Sequence, residues 1–204
     1  MTHIGHSEKV LVMRVFIAVL VLIFSLQSWT KADDISEFEI EGMSIGDSLL
    51  DFMTVNEISQ NTLPYFENKR KYYIVVMLNN LKIYDQVEIY LKSNDKNYEI
   101  KTILAGIFID DLSKCFEKKK EIVKDLDSVF TDIKKISGQK KHEADVTGNS
   151  KQYIDQYNIN FPDHIRVECT EFSKEMINSG LGQNSLNIVI MTKEINDWIY
   201  SGYK

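Results

Sequence analysis

Proline and cysteine are almost missing from this 204-residue sequence, which has two of each. Two cysteines exclude a disulfide-dense mini-scaffold, and two prolines exclude a Pro-rich linker protein. An excess of positive charge is also lacking, since 24 Lys and Arg face 30 Asp and Glu for a net charge of -6. With no Lys/Arg stripe against that balance, nucleic acid is not expected as a partner. What remains is ordinary for a folded chain, 44% hydrophobic and 26% charged. That composition excludes collagen-like, mucin-like and disordered classes. The length suits one domain.

The longest apolar run is short and lies near the start. Val15 to Leu26 is interrupted only by Ser25, with Lys9 and Arg14 before it and Thr30-Lys-Ala32 after it. A basic flank, a short apolar stretch and small residues at Thr30 and Ala32 match a secretory signal peptide cleaved after Ala32. The alternative is an uncleaved anchor, but a spanning helix needs about 20 apolar residues. Residues 1–32 are therefore expected to be a signal peptide and 33–204 a single domain. Loss of Lys9, Arg14, Lys31 and Glu8 leaves 21 bases and 29 acids, a net charge of -8. Such a charge favours solubility and disfavours adhesion to anionic lipid.

Beyond the signal, the pattern predicts helix, three strands, long helix, three strands and short helix. Ser48-Leu-Leu-Asp51 and Thr54-Val-Asn-Glu57 both fit the capping-box pattern, and Pro64 closes that helical segment. Gly46 frees the backbone for the turn into it. Tyr72–Leu78 is a continuous apolar run, Val87, Ile89 and Leu91 alternate with polar residues, and Tyr98–Ile109 completes an antiparallel hairpin. The apolar phase shifts between Ile100 and Ile103, and Gly106 interrupts the strand, which a bulge would explain. From Asp111 to Ser137, apolar residues from Leu112 to Ile136 recur at helical spacing. Asp110 and Asp111 suit its N-terminus, Lys134 and Lys135 its last turn, and Gly138 its C-cap. Gln139–Ser150 lacks periodicity and is expected to be a surface loop. Strands are expected near Tyr153–Ile159, His164–Phe172 and Leu186–Met191, then a closing helix over Thr192–Tyr200. This order favours an α+β fold, an antiparallel sheet with one long amphipathic helix packed on it. A duplicated αβββ unit is an open alternative.

The two cysteines fall on inward phases. Cys115 lies on the apolar stripe of the long helix, and Cys169 shares its strand phase with Ile165 and Val167. In an oxidising compartment they are expected to form a disulfide; the alternative is a pair of inert core thiols.

Several motifs resemble chemistry. Gly46-Asp47-Ser48-Leu49 carries the four letters for which GDSL hydrolases are named, and that resemblance would make Ser48 the nucleophile. The segment before it, Glu39-Ile-Glu-Gly-Met-Ser-Ile45, is not the buried strand that family uses, and the family's Asp-x-x-His is absent from the sequence. Asp47 and Ser48 as helix caps explain the same letters without chemistry. Thr147-Gly-Asn-Ser-Lys151 lacks phosphate-loop spacing. His142 and His164 have no ligand partners at metal spacing. Lys118-Lys-Lys120 is expected on a solvated helix face. Tyr72, Tyr73, Tyr84, Tyr90 and Tyr98 could line a groove, though sheet packing is the simpler role. No catalytic residue, metal site or cofactor is assigned.

The stretch Ile35-Ser-Glu-Phe-Glu-Ile-Glu-Gly-Met-Ser-Ile-Gly-Asp-Ser-Leu-Leu-Asp51, with Cys115 and Val167-Glu-Cys169, resembles a group of small exported proteins of unknown function from marine bacteria. That resemblance implies no activity. More distantly, the Ile45-Gly46 step into a short helix followed by antiparallel strands is similar to the small α+β modules of outer-membrane assembly lipoproteins and β-lactamase inhibitor proteins. The expectation is a periplasmic or secreted, non-enzymatic interaction or ligand-binding module. Its partner would be an envelope protein or small ligand, with the membrane met only in transit.

Overall fold

A computed structural model describes residues 34–63, 73–79, 81–160 and 162–201. The expected signal peptide and cleavage site, Pro64 and Tyr72 lie outside the described residues. The described chain is α+β, and its centre is a seven-stranded antiparallel sheet. Two 3-10 turns, Ile35–Glu37 and Leu49–Asp51, precede helix α1, Val55–Asn61. Strands β1 (Tyr73–Leu78), β2 (Gln86–Lys92) and β3 (Ile100–Phe108) follow. Helix α2 (Leu112–Val129) leads to β4 (Lys135–Lys141), β5 (Lys151–Asn158) and β6 (His164–Glu171). Then come α3 (Lys174–Asn178), β7 (Ser185–Met191) and α4 (Lys193–Tyr200).

The strand order is β1-β2-β3-β7-β6-β5-β4. Two meanders, each contiguous in sequence, are therefore joined by β7 between β3 and β6. A helix followed by a three-stranded meander occurs twice, but that order alone does not establish a duplication. The expected bulge is present: Tyr90 pairs with Thr102 and Leu91 with Ile100, so Lys101 is the extra residue.

The period of two decides which side chains meet the helix. Val87, Ile89, Leu91, Ile100, Ile103, Ala105, Ile165, Val167, Cys169, Leu186 and Ile190 share one face and are buried in one cluster. Helix α2 packs over β6 and β7 on that face, and Ile35, Phe38, Ile40, Met43 and Leu49 join the same cluster. Phe130 stands between Phe38 and Tyr157, with ring centroids 5.2 and 5.3 Å apart. Full burial of one such aliphatic side chain is worth roughly 1.5–3 kcal/mol. On the opposite face, Val189 and Met191 pack with Ile195 and Trp198 of α4, and with Tyr90 and Leu104.

Helix α2 is shorter than its sequence pattern. Asp111 caps it by accepting a hydrogen bond from Ser113 N at 2.9 Å, and it ends at Val129 with Phe130 as C-cap. Ile133 and Ile136 continue the helical spacing only by coincidence, since Ile136 lies in β4 and is 43% exposed. Lys135 is not in a last helical turn; it reaches Asp127 at 2.7 Å from β4. Gly138 is no C-cap but sits in mid-strand, so the expected loop 139–150 shrinks to 142–150. Strand β4 escaped the pattern because it is an edge, exposed along six of its seven residues, and carries no apolar alternation.

Candidate functional site

The Ser48 turn is pinned to the start of β3. Gly46 N donates to Ile100 O at 3.0 Å, Ile100 N to Asp47 O at 2.9 Å, and Leu49 N to Tyr98 O at 3.0 Å. Gly46 takes φ +93°, a conformation glycine adopts without penalty. The Ser48 hydroxyl donates to Asn97 O at 2.6 Å and accepts from Leu50 N at 3.3 Å, which makes it the N-cap of the second 3-10 turn. Its proton and a lone pair are thus both engaged by main chain. Asp47 is not a helix cap: its carboxylate accepts from Ser44 N at 2.8 Å and closes the preceding turn. The capping box forms at Thr54 and Glu57 instead, and the hydrogen bonds from Thr54 hold the Glu57 carboxyl below its ordinary range.

Cys115 and Cys169 form a disulfide between α2 and β6, with Cα atoms 6.0 Å apart. Both are buried. Beside the bridge, Lys119 is not on a solvated face with Lys118 and Lys120; it reaches down to Asp155 at 2.6 Å. Tyr157 OH donates to Asp127 at 2.8 Å and lies 3.1 Å from Val123 O. Burial, then the Asp127 carboxylate, raise the Tyr157 phenol well above its usual value.

A polar cluster occupies the other face, away from α2. Glu168 is 2% exposed, pairs with Arg166 Nε at 2.8 Å and accepts from Gln152 Nε2 at 2.9 Å. Asn187 Nδ2 donates to Thr170 Oγ1 at 3.2 Å in the same patch. Gly106 lies beside Asn187 in the register, and a Cβ there would stand 3.0 Å from Asn187 Oδ1. The loop after β4 approaches this patch. His142 stacks on Phe172 with centroids 4.6 Å apart; burial lowers its pKa, and Glu168 opposes that shift less strongly. Asp145 holds the loop by accepting from Thr147 N and Ser150 N, each at 2.9 Å, and from both hydroxyls. These bonds, that from the Ser150 hydroxyl first, depress its carboxyl strongly. Ser150 Oγ in turn accepts from Ser173 N at 2.8 Å. The Thr147–Lys151 stretch is therefore a self-closed turn.

Glu88 lies on the same face three strands from Arg166, about 14 Å away at ordinary strand spacing. It accepts from Gln86 Nε2 at 3.2 Å and Tyr90 OH at 3.4 Å, and burial raises its pKa. Sequence alternation places Glu168 and Thr170 on an outward phase, yet both are buried, which has no signal in the sequence. The described members of the expected tyrosine group do not line one groove. Tyr84 is in the core, where burial raises it to about 12, and Tyr90 packs against the α4 cluster.

Among the described residues, no group of three His, Cys, Asp or Glu is placed to hold a metal ion. His164 faces Pro162 O at 3.0 Å, far along the sheet from the His142 loop. No described helix is long and apolar enough to cross a membrane. No protein-family model, curated protein or solved structure matches the chain.

Proposed function

We propose that the chain is an exported, non-enzymatic interaction module of the cell envelope, periplasmic or secreted, stabilised by its single disulfide. Its expected kinship with the small exported proteins of marine bacteria is part of the same reading. The observation that carries it is the engagement of Ser48, whose hydroxyl is held by Asn97 O and Leu50 N and so serves the turn. A nucleophilic serine needs that proton aligned toward a base. Glu168 supports the reading as well, because its carboxylate is enclosed by Arg166 and Gln152. The buried disulfide suits an oxidising compartment.

The test is treatment of the full chain with a serine-reactive fluorophosphonate. No adduct is expected, and Ser48→Ala should lower stability by about 1 kcal/mol, the worth of a cap. A Ser48 adduct that disappears in the Ala variant would replace the module by a GDSL-like hydrolase. Export is tested by N-terminal sequencing of the protein from the envelope fraction. A start at Asp33 is expected, and a start within residues 1–32 would make the leader an anchor.

A further inference from the structure

We propose that the free edge of β4 is a docking site for an extended, acidic segment of a partner protein, which adds to the sheet as an eighth strand. The proposal rests on the interaction-module reading and names the surface and the chemistry of what it binds. Among the described residues, strand β4 is last in the sheet and pairs only with β5. Asn158 N donates to Lys134 O, and beyond the other end of the strand His142 N donates to Ser150 O. Both positions are even-numbered, so in an antiparallel ladder the even residues turn their amides toward β5. The odd residues Lys135, Ser137, Gln139 and Lys141 then present N–H and C=O groups outward. Over seven residues that makes an edge about 24 Å long.

The two ends of the sheet are treated differently. At β1, Leu63 N donates to Val75 O at 2.9 Å, and Thr62 forms a bridge with Val76, so these two residues cover the middle of that edge. At β4, every residue except Lys140 is exposed. Charge then selects the occupant. Lys134, Lys135, Lys140 and Lys141 fall within eight residues that hold no acid, in a chain of net charge -6. Lysines on an edge repel an identical edge, which disfavours a second copy of this strand. Lys135 already pairs with Asp127 at 2.7 Å and Lys140 lies 4.0 Å from Glu143, so attraction for a strand rich in Asp or Glu falls chiefly to Lys134 and Lys141. Ile136, 43% exposed on the face away from α2, offers an apolar contact for the alternate side chains of such a strand. Main-chain pairing supplies affinity in this mode of recognition, and alternate side chains supply specificity.

The probe is a fluorescent eight-residue peptide of alternating Glu and Val, with a Lys/Val peptide of the same length as counterpart, read by anisotropy on the oxidised full chain. The Glu/Val peptide should bind and the Lys/Val peptide should not. Gln139→Pro removes one outward N–H and no bond to β5, so it should weaken binding at least tenfold with an unchanged unfolding midpoint. Should that variant misfold, Lys134→Glu with Lys141→Glu leaves the backbone intact and should invert the preference between the peptides. Equal binding of both peptides, or no binding of the Glu/Val peptide, overturns the proposal. So does a dimer of the chain that Gln139→Pro dissociates. Each failure without a Ser48 adduct retires the edge and leaves the module reading standing, whereas a Ser48 adduct removes that reading whatever the peptides do.

Discussion

Opening the Cys115–Cys169 bridge should cost the protein a large part of its stability, and the amount follows from the chain. The bridge closes a loop with a sequence separation of 54 residues. In the chain-entropy model that removes about 14 cal/mol/K from the unfolded ensemble, or about 4 kcal/mol at 25 °C. For a domain of this size the Tm should fall by roughly 8–16 °C on reduction. Comparing the oxidised protein with the same chain held reduced keeps both sulfur atoms in place, so no cavity confuses the result. Urea unfolding followed by circular dichroism measures both stability and m. The reduced unfolded chain is less constrained and exposes more surface, so m should rise as stability falls. Helix α2 should respond first. Of its eighteen residues only Cys115 and Leu126 are buried, so the bridge holds its N-terminal half to β6. Hydrogen exchange should show α2 amides losing protection before those of β7. A reduced chain within 1 kcal/mol of the oxidised one, at unchanged m, would refute the reasoning.

Three other perturbations test separate parts of the structure. Glu88 has its pKa raised by burial, so its stabilising contribution is complete below the unfolded value and is lost as pH rises through the folded one. Glu88→Gln should therefore raise the Tm at pH 7, with the gain vanishing below about pH 4. Tyr157→Phe removes the hydroxyl that serves Asp127 and Val123 O, and should cost about 1 kcal/mol by urea titration. The depressed Asp127 carboxyl should move upward with it, though less than a loss of Lys135 would move it, as an NMR pH titration would show. At Gly182 a Cβ would fall 2.4 Å from the Phe172 ring, so Gly182→Ala should cost about 1–3 kcal/mol by overpacking. Because Phe172 carries His142, the His142 ring resonances should shift in the same variant.

Much of the architecture was legible because burial was one-sided. In β2 the alternation of Val87, Ile89 and Leu91 matches their burial, and the phase slip in β3 marked a true bulge at Lys101. The disulfide was legible for the same reason: helical spacing at Cys115 and strand phase at Cys169 pointed into one layer. Strand β4 was not, because an edge strand exposed on both faces needs no apolar residues, and two isoleucines chanced to extend the period of α2. Helix α3 is too short to show a period. The polar cluster was hidden for the opposite reason. Glu168 and Thr170 occupy positions that alternation assigns to solvent, yet both are buried among strand residues Gln152, Arg166 and Asn187. Ser48 was legible as a cap, whereas the role of Asp47 depended on a turn geometry that its neighbours do not encode.

The placement of β7 has a consequence for how the protein comes to be. Each meander can form from hairpins local in sequence, yet neither touches the other through strand pairing until residues 185–191 arrive between them. Until then β3 and β6 would both be exposed, apolar edges, the kind of surface on which chains stick to one another. A nascent molecule is therefore open along its middle for as long as that strand is withheld. Its exposure to aggregation should end only when β7 is released and closes the sheet.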